Sequence, residues 1–205
     1  MKNLTSLLRA GAVLCASVLF LAAGAARAQS EAKPLMLVAK PDLRAAYSQT
    51  VLIVAPFGES EHFGFIINRP LEQSLGSAFP DHPPSKKVVD PVRFGGPVMT
   101  DTIFALVRSP GDRGRASLPL STDLFVASRA DDIDRIIEQT PNDARYFVGF
   151  VGWRAGELEA EIAKGFWYVL EPQADLVFRR DAGNLWRELV RRLGIEPTEP
   201  AGRAL

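Results

Sequence analysis

The sequence predicts an α+β domain. Seven short runs rich in branched and aromatic residues, bounded by Pro, Gly, Asn or Asp, read as strands, whereas three segments carry helical periodicity. Strands and helices do not alternate strictly, which argues against a doubly wound parallel sheet. With no internal repeat of about 20 to 50 residues, the 205-residue chain suits one domain behind a short leader.

That leader occupies positions 1 to 28. Lys2 and Arg9 precede a charge-free run from Ala10 to Ala26, and the run closes on Ala26-Arg27-Ala28. A basic start, an apolar stretch and a small-residue site in that order are the pattern of a cleavable secretory signal peptide, with cleavage expected after Ala28. The run is short for a membrane span, which takes about 20 apolar residues. The expected address is the periplasm, with no span left after cleavage. Cys15, the single cysteine, lies in the leader, so the mature chain offers no thiol for a disulfide, a nucleophile or a metal. The 24 basic residues fall to 21 without Lys2, Arg9 and Arg27, against 24 acidic ones, a balance of −3. Such a charge does not draw nucleic acid to the surface as a whole.

Residues 29 to 33 read as a flexible lead-in, 34 to 196 as the folded domain and 197 to 205 as a flexible tail. Strands are expected at Leu35 to Ala39, Thr50 to Ala55, Phe63 to Ile67, Ile103 to Val107, Leu124 to Ala127, Tyr146 to Val151 and Phe166 to Leu170. A first helix should start with Ser128 as its cap, bury Ile133, Ile136 and Ile137, and stop before Pro141. A second runs from Ala155 to Lys164, buries Leu158 and Ile162, and ends at Gly165. The third buries Leu185, Trp186, Leu189, Val190 and Leu193 and ends at Gly194, with Arg187, Glu188, Arg191 and Arg192 facing water. Asp81 to Pro91, Ser109 to Arg115 and the residues after Ile195 are rich in Pro, Gly and charge and read as loops.

Chemical motifs are sparse. Gly149, Gly152 and Gly156 do not have the spacing of a dinucleotide loop, Trp153 fills the room a phosphate would need, and Glu157 already satisfies the helix dipole. Gly149 and Gly152 are better read as points where another backbone crosses closely, with Trp153 as a hydrophobic plug on the strand-to-helix corner. Glu157 and Glu161 share a helix face, but together with Glu159 they read as solvated residues. His62 and His82 sit in polar, loop-like neighbourhoods with no second ligand at metal spacing, so neither a metal nor a cofactor is expected. Ser121, Ser128 and Asp123 lack a nucleophile elbow and nothing selects them for catalysis. The Arg179-Arg180 and Arg191-Arg192 pairs alternate with Asp181, Glu188 and Glu196 and read as a solvated face.

Three segments in order carry a resemblance that none carries alone. They are Gly64-Phe65-Ile66-Ile67-Asn68-Arg69-Pro70, Phe94-Gly95-Gly96-Pro97-Val98, and Gly149-Phe150-Val151-Gly152-Trp153-Arg154-Ala155-Gly156-Glu157-Leu158-Glu159. The set resembles the bacterial YqgE/AlgH family across Pro34 to Ile195. In this resemblance Leu176-Val177-Phe178 corresponds to a closing strand and Leu185 to Gly194 to a terminal helix. It implies a mixed, branched sheet with flanking helices and a function that is not settled biochemically. Some members carry a regulator label, which conflicts with an exported address. The shared positions carry over onto Asn68, Arg69, Gly95, Gly96, Pro97, Trp153 and Glu157 as a candidate ligand-binding surface. Arg69 is its one strong anion-binding group. In the structural alternative, Arg69 pairs with Glu157 or another carboxylate and the glycines permit close packing. The reading is a non-catalytic binding or accessory domain whose partner is a small anionic ligand or an envelope protein. A hydrolase without a recognisable motif and a transcriptional regulator are the rivals.

Overall fold

Branched apolar residues favour extended backbone, and where a sheet is covered on both faces they run without polar interruption. Leu35–Ala39 forms β1 and Val51–Phe57 forms β2 on this rule, and Val51 to Ala55 are wholly buried. The chain continues through β3 (Glu61–Ile66), β4 (Pro70–Ser74), α1 (Leu75–Ala78), β5 (Pro91–Phe94), β6 (Val98–Arg108), β7 (Ser117–Pro119), β8 (Leu124–Ala127) and α2 (Ala130–Gln139). It ends with β9 (Ala144–Trp153), α3 (Glu157–Ala163), β10 (Trp167–Leu170), α4 (Ala174–Phe178) and α5 (Leu185–Arg192). Short 3-10 turns lie at Ala45–Tyr47 and Pro83–Lys87. This computed structural model describes residues 33–108 and 117–195. The expected leader, the lead-in up to residue 32, the Ser109 to Arg115 loop and the 197 to 205 tail lie outside the described residues.

The strands form one curled, largely antiparallel sheet in the order β10-β1-β2-β3-β9-β6-β8-β7. β5 joins the middle of β9 in parallel, with Arg93 opposite Phe147 and Phe94 opposite Val148, and β4 pairs with β5. The domain is α+β with a mixed, branched sheet, as the sequence and its resemblance lead one to expect. β9 is the branch strand, because it meets β3 at Val151 to Trp153, β6 along Ala144 to Phe150, and β5 at Phe147 and Val148. The branch demands glycine. A Cβ on Gly95 would stand 2.2 Å from the Gly149 carbonyl oxygen, and one on Gly149, at φ +68°, would stand 2.2 Å from that of Gly96. Either contact is far inside van der Waals range, so the Gly95-Gly96 link crosses β9 only because both backbones lack side chains there.

Alternation along the strands divides the interior into two cores. Phe104 and Leu106 of β6, with Phe147, Val151 and Trp153 of β9, face the larger core beneath β1, β2, β3 and α5. Ala105 and Val107, with Ala144 and Tyr146, face a smaller core closed by Ile133 and Ile137 of α2.

Several expectations are corrected. Arg129, not Ser128, is the N-cap of α2, and no side chain caps it. Asp131 and Asp132 in the first turn complement the helix dipole, while Ser128 lies between β8 and the cap, outside both elements. Leu176-Val177-Phe178 belongs to the helix α4 and not to a strand. β4, β5 and β7 add to the strands the sequence predicts, since β4 and β5 open on proline and all three are too short to show alternation. His62 is no loop residue: it lies in β3 and is buried.

Candidate functional site

β3 and β9 bring His62 opposite Trp153 and Phe63 opposite Gly152. Trp153 is buried, and its indole Nε1 donates to Glu161 Oε2 at 3.0 Å. The Trp167 Nε1 donates to the same oxygen at 2.9 Å. Glu161, expected among solvated acids, is therefore the post that ties α3 to β9 and β10. Glu157 serves the backbone instead, where its Oε2 accepts from the Arg154 amide at 2.8 Å and satisfies one free donor ahead of α3.

An open cavity of about 520 Å³ lies at this corner, with Phe57, Glu61, His62, Phe150, Trp153 and Glu157 in its wall. It shares Phe57, Phe63 and Phe150 with a narrower slot of about 150 Å³ that adds Phe65, Phe104 and Val126. The slot rings stack edge to face or tilted: Phe57 on Phe63, Phe63 on Phe65, Phe65 on Phe104, and Phe104 on Phe150, with centroids 5.6 to 6.2 Å apart. That spacing is favourable for aromatic pairs and fixes the walls. Phe57, Val98 and Leu118, which line the two openings, are exposed by 49%, 40% and 39%, and Met99 next to Val98 by 52%, a concentration of large apolar surface that an isolated domain has no packing reason to display.

Two irregularities point the same way. Between the Val98–Phe150 and Ile103–Val148 pairings, β6 carries extra residues that shift the register, and Met99 sits there at φ +54°. Left-handed backbone at a residue with a side chain is strained, and such strain concentrates at functional sites. The second is His62, whose Nδ1 is buried without a hydrogen-bond partner and lies 3.9 Å from Glu159 Oε1, beyond bonding distance.

Of the seven residues singled out in the sequence, Trp153 and Glu157 line this cleft. Gly95, Gly96 and Pro97 form the crossing that delivers Val98 to its rim. Asn68 and Arg69 lie beyond the far end of β3. Asn68 is buried: its Oδ1 accepts from the Val51 amide at 2.8 Å and its Nδ2 donates to the Gln49 carbonyl at 2.9 Å. Arg69 donates to the Ser48 carbonyl at 3.2 Å, and partial burial lowers its pKa from the ordinary guanidinium value. Among the described residues no carboxylate pairs with it, and Glu157 is engaged elsewhere.

A third cavity, about 510 Å³, lies under α2 and contains His82, Ser85, Asp101 and Asp134. His82 Nδ1 and Ser85 Oγ are 2.7 Å apart, a distance suited to a base and a nucleophile. Ser85 is wholly buried and the pair closes one 3-10 turn, so the contact serves that turn. Among the described residues no group of three or more His, Asp or Glu side chains is placed to hold a metal ion.

Arg93 and Arg145 are functional to the fold in a way sequence reasoning misses. Arg93 Nη1 donates to the carbonyls of Ile67 at 2.9 Å and Val177 at 2.7 Å, and its Nη2 to Arg179 at 2.7 Å. Arg145 donates to the Phe178 carbonyl at 2.8 Å and pairs with Asp90 at 3.2 Å. Burial, reinforced by the neighbouring Arg145, lowers the Arg93 pKa to about 10. These two cations bind α4 to the sheet. A charged residue inside each of the runs Val92-Arg93-Phe94 and Ala144-Arg145-Tyr146 is the signal present in the sequence.

The chain is thus an α+β domain with a glycine-crossed branch strand and an apolar cleft. The AlgH-like family model matches residues 36–198, and this chain belongs to that family. It is 31% identical over 169 residues to a UPF0301 protein of Pelodictyon phaeoclathratiforme, covering 81% of this chain and 88% of that one. A UPF0301 protein of Vibrio parahaemolyticus is 30% identical over 173 residues, covering 80% and 92%. The AlgH protein from Pseudomonas aeruginosa superposes with a TM-score of 0.65 at 27% identity, covering 83% of this chain and 95% of that one. Protein DIP2367 from Corynebacterium diphtheriae shares the fold at a TM-score of 0.65 and 21% identity, covering 83% and 88%.

Proposed function

We propose that the chain is an exported, non-catalytic binding domain that takes an apolar group of its ligand into the phenylalanine slot. The observation that carries this is the slot itself: an aromatic-walled opening of about 150 Å³, ringed by exposed apolar side chains and joined to a mouth that holds an unpartnered imidazole. Apolar cavities of this kind bind apolar groups, and a few convergent polar atoms then set orientation. Of the positions shared with the family, Trp153 and Glu157 are proposed as ligand-facing. Arg69, held by a backbone carbonyl far along β3, is a separate candidate for an anion. Export is supported by Lys2, Arg9, the apolar run and Ala26-Arg27-Ala28.

Titration of the mature chain with indole, followed by backbone amide shifts, tests the slot. Shifts concentrated at Phe63, Phe65, Phe104, Val126 and Phe150 are expected, and shifts elsewhere or none at all contradict the reading. N-terminal sequencing of the secreted protein tests the address, with Gln29 expected as the first residue and an intact Met1 contradicting it.

A further inference from the structure

We infer that the occupant of the cleft is a polypeptide segment carrying a phenylalanine-sized side chain beside a lysine or arginine, an inference that rests on the binding reading above. Size sets the first half. A dry cavity of about 150 Å³ holds one benzene ring, and the slot has that volume, so it accepts one side chain and not a long acyl tail. Through Phe57, Phe63 and Phe150 it opens into a mouth of about 520 Å³, room for the residues on either side of such an anchor. The exposed Val98 and Leu118 in the walls of the two openings extend the apolar surface beyond what a single small molecule covers, as the core of a peptide-binding patch does.

Charge sets the second half. Glu61 and Glu157 line the mouth and Glu159 stands beside His62, against Arg154 as the one cation among the described residues of the wall. The excess of carboxylates attracts a cation and repels an acidic neighbour. The buried His62 Nδ1 has no hydrogen-bond partner among the described residues, and 3.9 Å separates it from Glu159 Oε1. What the exposed carboxylates of the mouth lack is a close cation, because the His62 Nδ1 itself is enclosed. An ammonium or guanidinium next to an aromatic anchor supplies it.

The test compares three capped peptides, acetyl-Gly-Phe-Lys-Gly-amide, its Phe-Glu counterpart and its Ala-Lys counterpart, by calorimetry on the mature chain. The Phe-Lys peptide is expected to bind about tenfold or more tightly than either of the others, and added salt should narrow its lead over the Phe-Glu peptide. In a Glu61→Gln/Glu159→Gln double variant, which removes two exposed carboxylates beside the mouth, the Lys-to-Glu preference should fall toward one while indole still fills the slot. Equal binding of the Phe-Lys and Phe-Glu peptides, or a preference that survives in the double variant, overturns the inference and leaves the slot reading intact. Indole shifts without peptide binding do the same. Loss of both indole and peptide binding removes the underlying reading as well.

Discussion

Two buried polar clusters in this domain differ in one respect. Around Arg93 and Arg145 the terminal guanidinium nitrogens are spent on the carbonyls of Ile67, Val177, Phe178 and Arg179 and on Asp90, with the rings of Phe147 and Phe178 stacked near them, while the Nε of each is buried without a partner. Around His62 the Nδ1 is idle, the nearest carboxylate is out of bonding range, and an apolar slot opens alongside. Each cluster leaves a buried nitrogen unpaired, so the difference lies in the surroundings: the arginines are closed in by their own carbonyl, carboxylate and ring partners, whereas His62 stands beside an opening. The contrast separates what holds the domain together from what it offers to a ligand.

The largest effect should come from breaking the arginine cluster. Arg93→Ala strands three carbonyl acceptors in the interior, and a loss of about 3 to 5 kcal/mol is expected. Urea melts measure it, and a loss below about 1 kcal/mol would make the cluster a surface-like pair and erase the contrast. Glu161→Ala should cost less, about 1 to 3 kcal/mol, because two indole N–H groups lose one shared acceptor. Its signature is a change in tryptophan fluorescence from both Trp153 and Trp167.

At the rim the direction reverses. Val98→Ser should leave stability within about 0.5 kcal/mol, as exposed substitutions do, yet weaken indole binding. A melt shifted by more than that would place Val98 in the core. The smallest effect lies at Glu188, which bridges Arg179 at 2.5 Å and also Arg192. The hydrogen bond from Arg179 lowers its pKa below the ordinary 4.5. A carboxylate with a depressed folded-state pKa contributes stability above its unfolded value and loses it as pH falls through the folded one. The gap between wild type and Glu188→Gln should therefore hold at neutral pH and close in acid below about 4.5, read from melts across that range. A gap independent of pH would exclude the ionic contribution.

The long strands and α5 are legible in the sequence because alternation and helical periodicity come from burial on one face or both, which leaves a direct trace in composition. Leu35–Ala39 and Leu124–Ala127 agree with the structure to the residue. β4 and β5 leave no such trace: Glu72, Gln73 and Ser74 are exposed, and Pro91 opens its strand. The close crossing expected at Gly149 is real, and its partner is the Gly95-Gly96 link. Gly152, also read as a crossing point, meets only the Phe150 ring at ordinary contact distance.

The site is half legible. Trp153 and Glu157 announce the corner, but His62 reads as a loop residue because Glu59, Ser60 and Glu61 precede it, and a strand that begins in polar residues hides its first buried one. The five phenylalanines gather from β2, β3, β6 and β9, and only the sheet order brings them together. No local pattern records that. Glu161 shows the same limit, since a helix-face acid reads as solvated until two indoles from different strands arrive at it.

The most direct test of the slot as a receptor is to fill it from within. Val126 is buried in its wall, and Val126→Phe should place a ring where the ligand's would go. A packed core penalises such enlargement by about 1 to 3 kcal/mol, whereas open space absorbs it. Parallel melts and indole titrations of wild type and Val126→Phe should show an unchanged or raised midpoint together with abolished indole binding. A lowered midpoint with indole binding intact would mean the slot is closed in solution and the ligand, if any, binds elsewhere.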